Sequence, residues 1–207
     1  MYKIKFKDLI LVSNKKRISS NFKTIFFFYG MGNSGDDFDF LTKKLDKKYQ
    51  LLIPELPGHN NDKFNSKFSL INYANSIVLL ILRKNLCNIV FFSHSVGGII
   101  PILIAKKIKQ KKKIENFFNY EGNLTEYDTG TITKKTTGYN MNEFDNKFNK
   151  LVGTCEQSSQ STIRLWSNSL KKTSSKAFYD LSKDTVLLSK KNILLQFIRI
   201  FFRRKLY

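Results

Sequence analysis

The sequence is poor in residues that staple or anchor a chain. Its two cysteines, Cys87 and Cys155, have neither metal-type nor redox spacing in 207 residues. That excludes a disulfide framework and fits two ordinary thiols in a reducing compartment. Histidine is as scarce, with only His59 and His94; no metal centre and no cofactor are expected. No run of about 18 apolar residues occurs, so no membrane-spanning helix is expected. The N-terminus, Met1-Tyr-Lys-Ile-Lys-Phe-Lys-Asp, alternates charge and lacks the apolar core of a signal peptide. Together these absences lead us to expect a cytoplasmic protein.

Acidic residues are also few: 16 Asp and Glu face 36 Lys and Arg, a formal net charge of +20. Such a balance points to nucleic acid or an anionic surface. The kind of cation argues otherwise. There are 30 lysines and only 6 arginines, along with 19 asparagines and 19 phenylalanines. That skew follows codon usage, whereas base and phosphate recognition favours the arginine fork. The lysines are scattered apart from short clusters at Lys106–Lys113 and Arg203–Lys205, so no nucleic-acid partner is expected.

What the chain does contain is an apolar framework. At 42% hydrophobic it can bury one core. The most informative stretch runs from Asn88 to Ala105. Ile89 to Phe92 reads as a buried strand, and the residues from Gly97 onward read as a buried helix. Between them lies Ser93-His94-Ser95-Val96-Gly97. A strand that reverses this sharply into a helix projects Ser95 at its apex. The small residues Ser93 and Gly97 let the strand and the helix approach closely. The helix N-terminus places free N–H groups beside the hydroxyl, with that of Val96 as the natural oxyanion donor. A tight strand–helix turn can also carry a serine with no chemical role.

Here the chain resembles the α/β-hydrolase superfamily. Ser93-His94-Ser95-Val96-Gly97-Gly98 is similar to its Gly-His-Ser-x-Gly-Gly elbow. Phe26 to Gly32 resembles the strand ending in the oxyanion-hole turn, with Tyr29 in place of a histidine. Leu52 to His59 resembles the Pro-Asp-x-Pro-Gly-His segment, with Glu55 in place of the aspartate. The resemblance covers about residues 21–125. It implies a three-layer, doubly wound, mostly parallel sheet with a helical lid insertion. It also implies Ser95 as nucleophile, Met31 and Val96 as oxyanion donors, and Gly30, Ser93, His94, Gly97 and Gly98 as supporting turn residues.

The remaining pattern agrees. Alternation over Tyr2–Phe6 and an apolar run at Leu9–Val12 predict two outer strands. Lys23–Tyr29, Tyr49–Ile53 and Ile114–Tyr120 predict further strands. Helices are expected over Asp36–Lys47, with acids first and lysines last, and over Leu70–Lys84, capped by Ser69. Gly30, Glu55, Ser95 and Glu121 are expected at the carboxyl ends of the strands, where such sheets bind ligands. This gives a core at residues 1–125 and a lid at 126–192, with helices near 142–152, 161–170 and 175–188. Leu165, Trp166, Leu170, Phe178 and Tyr179 are its candidate substrate-facing or core-facing residues. Residues 193–207 read as a last lid helix running into a strand at Leu206 and Tyr207. A basic amphipathic helix on a membrane is the other reading of that stretch.

A serine nucleophile needs a base, and the base an orienting acid. In the superfamily both follow later strands, in the order Ser, acid, His. No residue here matches either, since His59 sits where the family's histidine is structural and His94 precedes the nucleophile. Glu121, ending the sixth strand, is a candidate acid. The last core strands are therefore expected to be missing, and a partner supplying them is a candidate requirement. Two functions follow: a serine hydrolase of a small carboxylic ester, thioester or similar acyl substrate through Ser95, or a catalytically inactive binding protein or truncated remnant.

Overall fold

The computed structural model describes residues 1–108, 113–129 and 132–201. Six strands form one sheet: β1 (Tyr2–Phe6), β2 (Leu9–Ser13), β3 (Lys23–Phe28), β4 (Tyr49–Pro54), β5 (Ile89–His94) and β6 (Ile114–Tyr120). Their order is β1-β2-β4-β3-β5-β6. The β1–β2 and β2–β4 pairs are antiparallel; β4, β3, β5 and β6 run parallel. The expected doubly wound, mostly parallel sheet is present, and the outer strands extend it by an antiparallel hairpin.

Two phenylalanine ladders show why these sequences become central strands. Phe26, Phe91 and Phe117 stand in register on one face, and Phe27, Phe92 and Phe118 on the other. Continuous apolar runs suit a strand covered on both faces. The first ladder lies under α1 (Leu70–Arg83), α2 (Ile99–Lys107) and α7 (Ile193–Phe201). Helix α1 begins at Ser69, whose hydroxyl accepts the Asn72 N–H at 3.2 Å. It buries Leu70, Tyr73, Ala74, Ile77, Val78, Leu80 and Ile81 at helical spacing. Each large aliphatic among them contributes on the order of 2 kcal/mol. Asp184, from a helix over 100 residues later, accepts the Leu70 N–H at 2.9 Å.

The other face is covered unevenly. A segment over Gly35–Lys44 lies on it, and Phe38 packs 4.5 Å from Phe27 between ring centres. The pattern predicts an α-helix over Asp36–Lys47. The observed segment is 3₁₀, with non-helical angles at Phe38, and stops at Leu45. Beyond Phe27 the cover runs out: Phe92 is 39% exposed, Phe118 54% and Tyr120 59%. Beside Phe92 an apolar cleft of about 220 Å³ opens between the sheet and Leu41 and Leu45.

Residues after β6 form α3 (Thr133–Thr137), α4 (Met141–Glu156), α5 (Ser161–Leu170) and α6 (Ser175–Ser189), each near its expected position apart from α3, which the pattern does not signal. Phe144, Phe148, Phe178 and Tyr179 make an aromatic cluster between α4 and α6. Leu170 and Tyr179 are buried in the core and Leu165 is exposed. The expected strand at Leu206 and Tyr207 lies outside the described residues.

β6 is the last strand among the described residues, and it pairs only with β5. A seven-residue edge next to exposed aromatics is a template for unwanted pairing. The chain alone is expected to self-associate in sedimentation velocity, and Phe92→Lys with Phe118→Lys to raise the monomer fraction severalfold. A monodisperse unmutated chain would contradict this.

Candidate active site

Ser95 follows β5 directly, with φ of +54°, in the left-handed region that a side chain rarely adopts. The 3₁₀ turn Ser95–Gly98 then runs into α2. The turn is squeezed against the end of β3. A side chain on Gly97 would begin 2.3 Å from the Phe28 carbonyl oxygen, which backbone cannot yield. One on Gly30 would begin 3.0 Å from Ser95 Cβ and 3.1 Å from His94 Nδ1. One on Gly98 would meet Asn119 and Gly122 at 2.7 Å. Ser93 fits where a glycine is more usual because its hydroxyl donates to Asn119 Oδ1 at 2.9 Å. The Asn123 N–H donates to the Ser95 carbonyl at 2.9 Å, which ties the turn to the end of β6.

Ser95 opens onto a cavity of about 490 Å³. Gly30, Met31 and Glu121 border it, as the sequence leads one to expect, together with His94, Asn33, Asn123, Asp128, Thr162, Trp166 and Phe178. Val96, Gly97, Gly98 and Ser93 are buried behind it. Two of the expected apolar residues, Trp166 and Phe178, therefore line the same cavity as Ser95, and α5 contributes Thr162, Ile163 and Trp166 to its wall. Asp128 has a sequence signal that the motif reading passes over. Thr125-Glu126-Tyr127-Asp128 has the spacing of a capping box, and Asp128 Oδ2 accepts the Leu124 and Thr125 N–H groups at 3.0 and 2.7 Å. Asn33 and Asn123 carry no such signal.

Glu55 corrects the expectation that it joins this site. Its carboxylate is buried and accepts from the Gly35 N–H at 3.1 and 3.0 Å, from Asn60 Nδ2 at 2.9 Å and from the Tyr29 hydroxyl. The Tyr29 oxygen in turn accepts the Leu56 N–H at 2.8 Å. Burial pushes the Glu55 carboxyl up, against the pull of these donors. Burial and the adjacent carboxylate push the Tyr29 phenol well above its usual range. The pair braces the Gly30–Gly35 loop from behind. Glu55 borders a different cleft, with Lys5, Asp8 and Tyr73.

His59 braces the same loop. Its Nε2 accepts the Gly32 N–H at 3.1 Å, and Nδ1 lies 3.1 Å from the Pro57 carbonyl, to which it donates in that tautomer. Both nitrogens are engaged, and burial lowers its pKa to about 4. It has neither the position nor the free lone pair of a base for Ser95. Trp166 Nε1 donates to the Met31 carbonyl at 3.2 Å, and Ser169 Oγ donates to Asp37 at 2.7 Å. The peptide after Met31 is thus held from both sides. His94 is half-buried, with its ring 5.8 Å from that of Tyr120. Burial lowers its pKa and Glu121 partly offsets the shift. His94, expected only as a supporting turn residue, borders the same cavity as Ser95. Among the described residues no cluster of three or more His, Cys, Asp or Glu could hold a metal ion.

Comparison with solved structures places the chain in a known class. MenH from S. aureus superimposes with a TM-score of 0.70 at 14% identity, over 92% of this chain and 76% of that one. A carboxylesterase of Nitrososphaera gargenis gives 0.68 at 12% identity, over 94% and 75%. The chain has the α/β-hydrolase fold.

Sequence relatives carry esterase names, and other names as well. The provisionally named esterase/lipase 2 of Mycoplasma pneumoniae is 29% identical over 90 residues, 42% of this chain and 34% of that protein. The magnesium-chelatase 30 kDa subunit of Rhodobacter capsulatus is 28% identical over 83 residues, 39% and 29%. The matches thus span about a third of these relatives' length. No protein-family model matches the chain.

Two measurements test this geometry. Gly97→Ala should destabilise the chain by roughly 1–3 kcal/mol in chemical denaturation through overpacking. Gly153→Ala in α4, with nothing within 4 Å, should stabilise it by about 0.5–1 kcal/mol. His59 binds its proton in the unfolded chain at 6.5 but resists it in the fold down to about 4. Its contribution is therefore complete above pH 6.5 and declines as pH falls toward 4, by up to about 3 kcal/mol. The raised pKa of Glu55 works in the opposite sense, with stability lost as pH rises. The slope difference between the unmutated chain and His59→Gln isolates the histidine; equal slopes would contradict the assignment.

Proposed function

We propose that this chain is the nucleophile-bearing part of a serine hydrolase that cleaves a small carboxylic ester, thioester or similar acyl bond through Ser95. The observation that carries the reading is the placement of Ser95. It sits at a strained positive φ, at the mouth of a helix, on a cavity shared with the Met31 loop. In this reading Ser95 Oγ attacks the acyl carbon, and the N–H groups of Val96 and Met31 hold the oxyanion. The hydroxyl proton passes to a base and then to the leaving alcohol or thiol. Water next attacks the acyl-serine, which releases the acid and restores Ser95. Helices α3–α6 act as the lid, with Trp166 positioning the Met31 peptide.

His59 cannot serve as base, since the Gly32 N–H occupies its Nε2 lone pair, Nδ1 is engaged with the Pro57 carbonyl and the ring does not border the Ser95 cavity. We assign the base to polypeptide that pairs along the open edge of β6. This chain covers about three quarters of the length of these solved structures. Glu121, at the end of β6, borders the cavity where an arriving imidazole would need an orienting carboxylate. Ile132, Ile163, Trp166 and Phe178 offer apolar wall for an acyl group. Among the described lining residues Glu121 and Asp128 are acidic and none is lysine or arginine, despite the net charge of +20. That favours neutral or cationic substrates over those bearing carboxylate or phosphate.

The test is labelling of the folded chain with a fluorophosphonate. Labelling should be slow, by roughly 10²–10⁴ relative to a serine with its base in place, and absent in Ser95→Ala. Labelling unchanged by Ser95→Ala would overturn the assignment. No labelling of a folded sample would favour a non-catalytic binding protein.

A further inference from the structure

Helix α7 is apolar over most of its circumference, with Gln196 and Arg199 together on one polar side. Ile193, Phe197 and Ile200 pack inward against Ile102 and Phe117, which accounts for one face. The opposite face is not accounted for. Leu194, Leu195 and Ile198 on α7, with Leu187 at the end of α6, are between 37% and 56% exposed. A surface helix normally turns polar residues outward, so this exposed apolar face calls for a second cover.

Charge indicates what that cover is. From Thr185 to Tyr207 the sequence holds six lysines and arginines and no aspartate or glutamate. Three of the six, Lys190, Lys191 and Arg199, are exposed beside the open leucines. One of these cations is partly matched: Lys190 Nζ lies 3.7 Å from Glu126 Oε1, a loose pair that salt would screen. Exposed leucines and isoleucine bordered by lysine and arginine, with Glu126 only loosely paired to Lys190, make the pattern of a helix that lies in a lipid interface. A cover made of polypeptide would need an apolar strip lined with acids. An anionic bilayer supplies both properties at once, since its acyl region accepts the leucines and its headgroups accept the cations.

We propose that the α6–α7 corner is a docking surface for an anionic lipid bilayer, through Leu187, Leu194, Leu195 and Ile198 with Lys190, Lys191 and Arg199. The surface is independent of the Ser95 chemistry. No helix among the described residues is long and apolar enough to cross a membrane, so the contact is peripheral.

Vesicle flotation of the full chain tests this, because bound protein rises with lipid while aggregated protein sinks. The chain should float with phosphatidylcholine vesicles containing 30% phosphatidylglycerol in low salt and stay down with phosphatidylcholine alone. Leu194→Glu with Leu195→Glu, and separately Lys190→Glu with Lys191→Glu, should each weaken binding at least tenfold while the far-ultraviolet circular dichroism stays unchanged. Lys43→Glu with Lys47→Glu alters net charge by the same amount on another surface and should leave binding within twofold. Absence of flotation with anionic vesicles would overturn the proposal and leave the face to a protein partner. An equal loss in the Lys43/Lys47 variant would also overturn it, since binding would then reflect diffuse net charge.

Discussion

The site depends on the contact between the Ser95 turn and the end of β3. Gly97 rides on the Phe28 carbonyl with no room for a methyl group, and Gly30 lies tight against Ser95 and His94. This closeness, together with the bond from Asn123 to the Ser95 carbonyl, holds Ser95 in a conformation that costs roughly 1–3 kcal/mol. The cost is offset next door, where Val96, Ile99 and Ile100 are buried in the core. A rigid, strained apex on a well-packed helix keeps a hydroxyl exposed at a fixed point, as chemistry at that point requires.

The second constraint is the brace behind the Gly30–Gly35 loop. Glu55, Tyr29 and His59 look like chemistry in the sequence, since they are titratable residues in motif positions. In the fold their hydrogen-bonding groups are spent on backbone N–H and carbonyl groups and on one another. A loop with two glycines at its turn has few side chains of its own to define it. Buried polar groups from β4 and its following loop supply the definition, and Trp166 does so from the opposite side. The residues that hold the loop are thus distinct from those that face the cavity.

The molecule is unevenly finished. Its sheet is covered on one face by α1, α2 and α7, and on the other only as far as Phe27. Exposure rises from Phe27 through Phe92 to Phe118 as the ladder approaches the open edge. Charge is uneven as well. A strongly basic chain presents an acidic, lysine-free wall among the described residues around Ser95, and an acid-free, cationic stretch at its C-terminal end. Net charge alone would have hidden both, because a potential is set by where charges lie.

The sequence by itself determined the strands, the elbow and the order of the elements. Each rests on local causes: the run Ile89–Phe92, the small residues around Ser95, the Ser69 cap. It also determined the scarcity of histidine that makes the search for a base short. Only the tertiary structure decided which titratable residues face Ser95. Glu55 left the site because its lone pairs are taken by Gly35, Asn60 and Tyr29, partners up to 26 residues away. Asn33 and Asn123 joined it although nothing in their neighbours along the chain marks them. Likewise the inner face of α7 and its open face are equally apolar as text; packing against Ile102 and Phe117 is what distinguishes them. Local pattern sets which element a residue joins, whereas the surroundings of its side chain depend on segments distant in the sequence, and those are known only once the layers have packed.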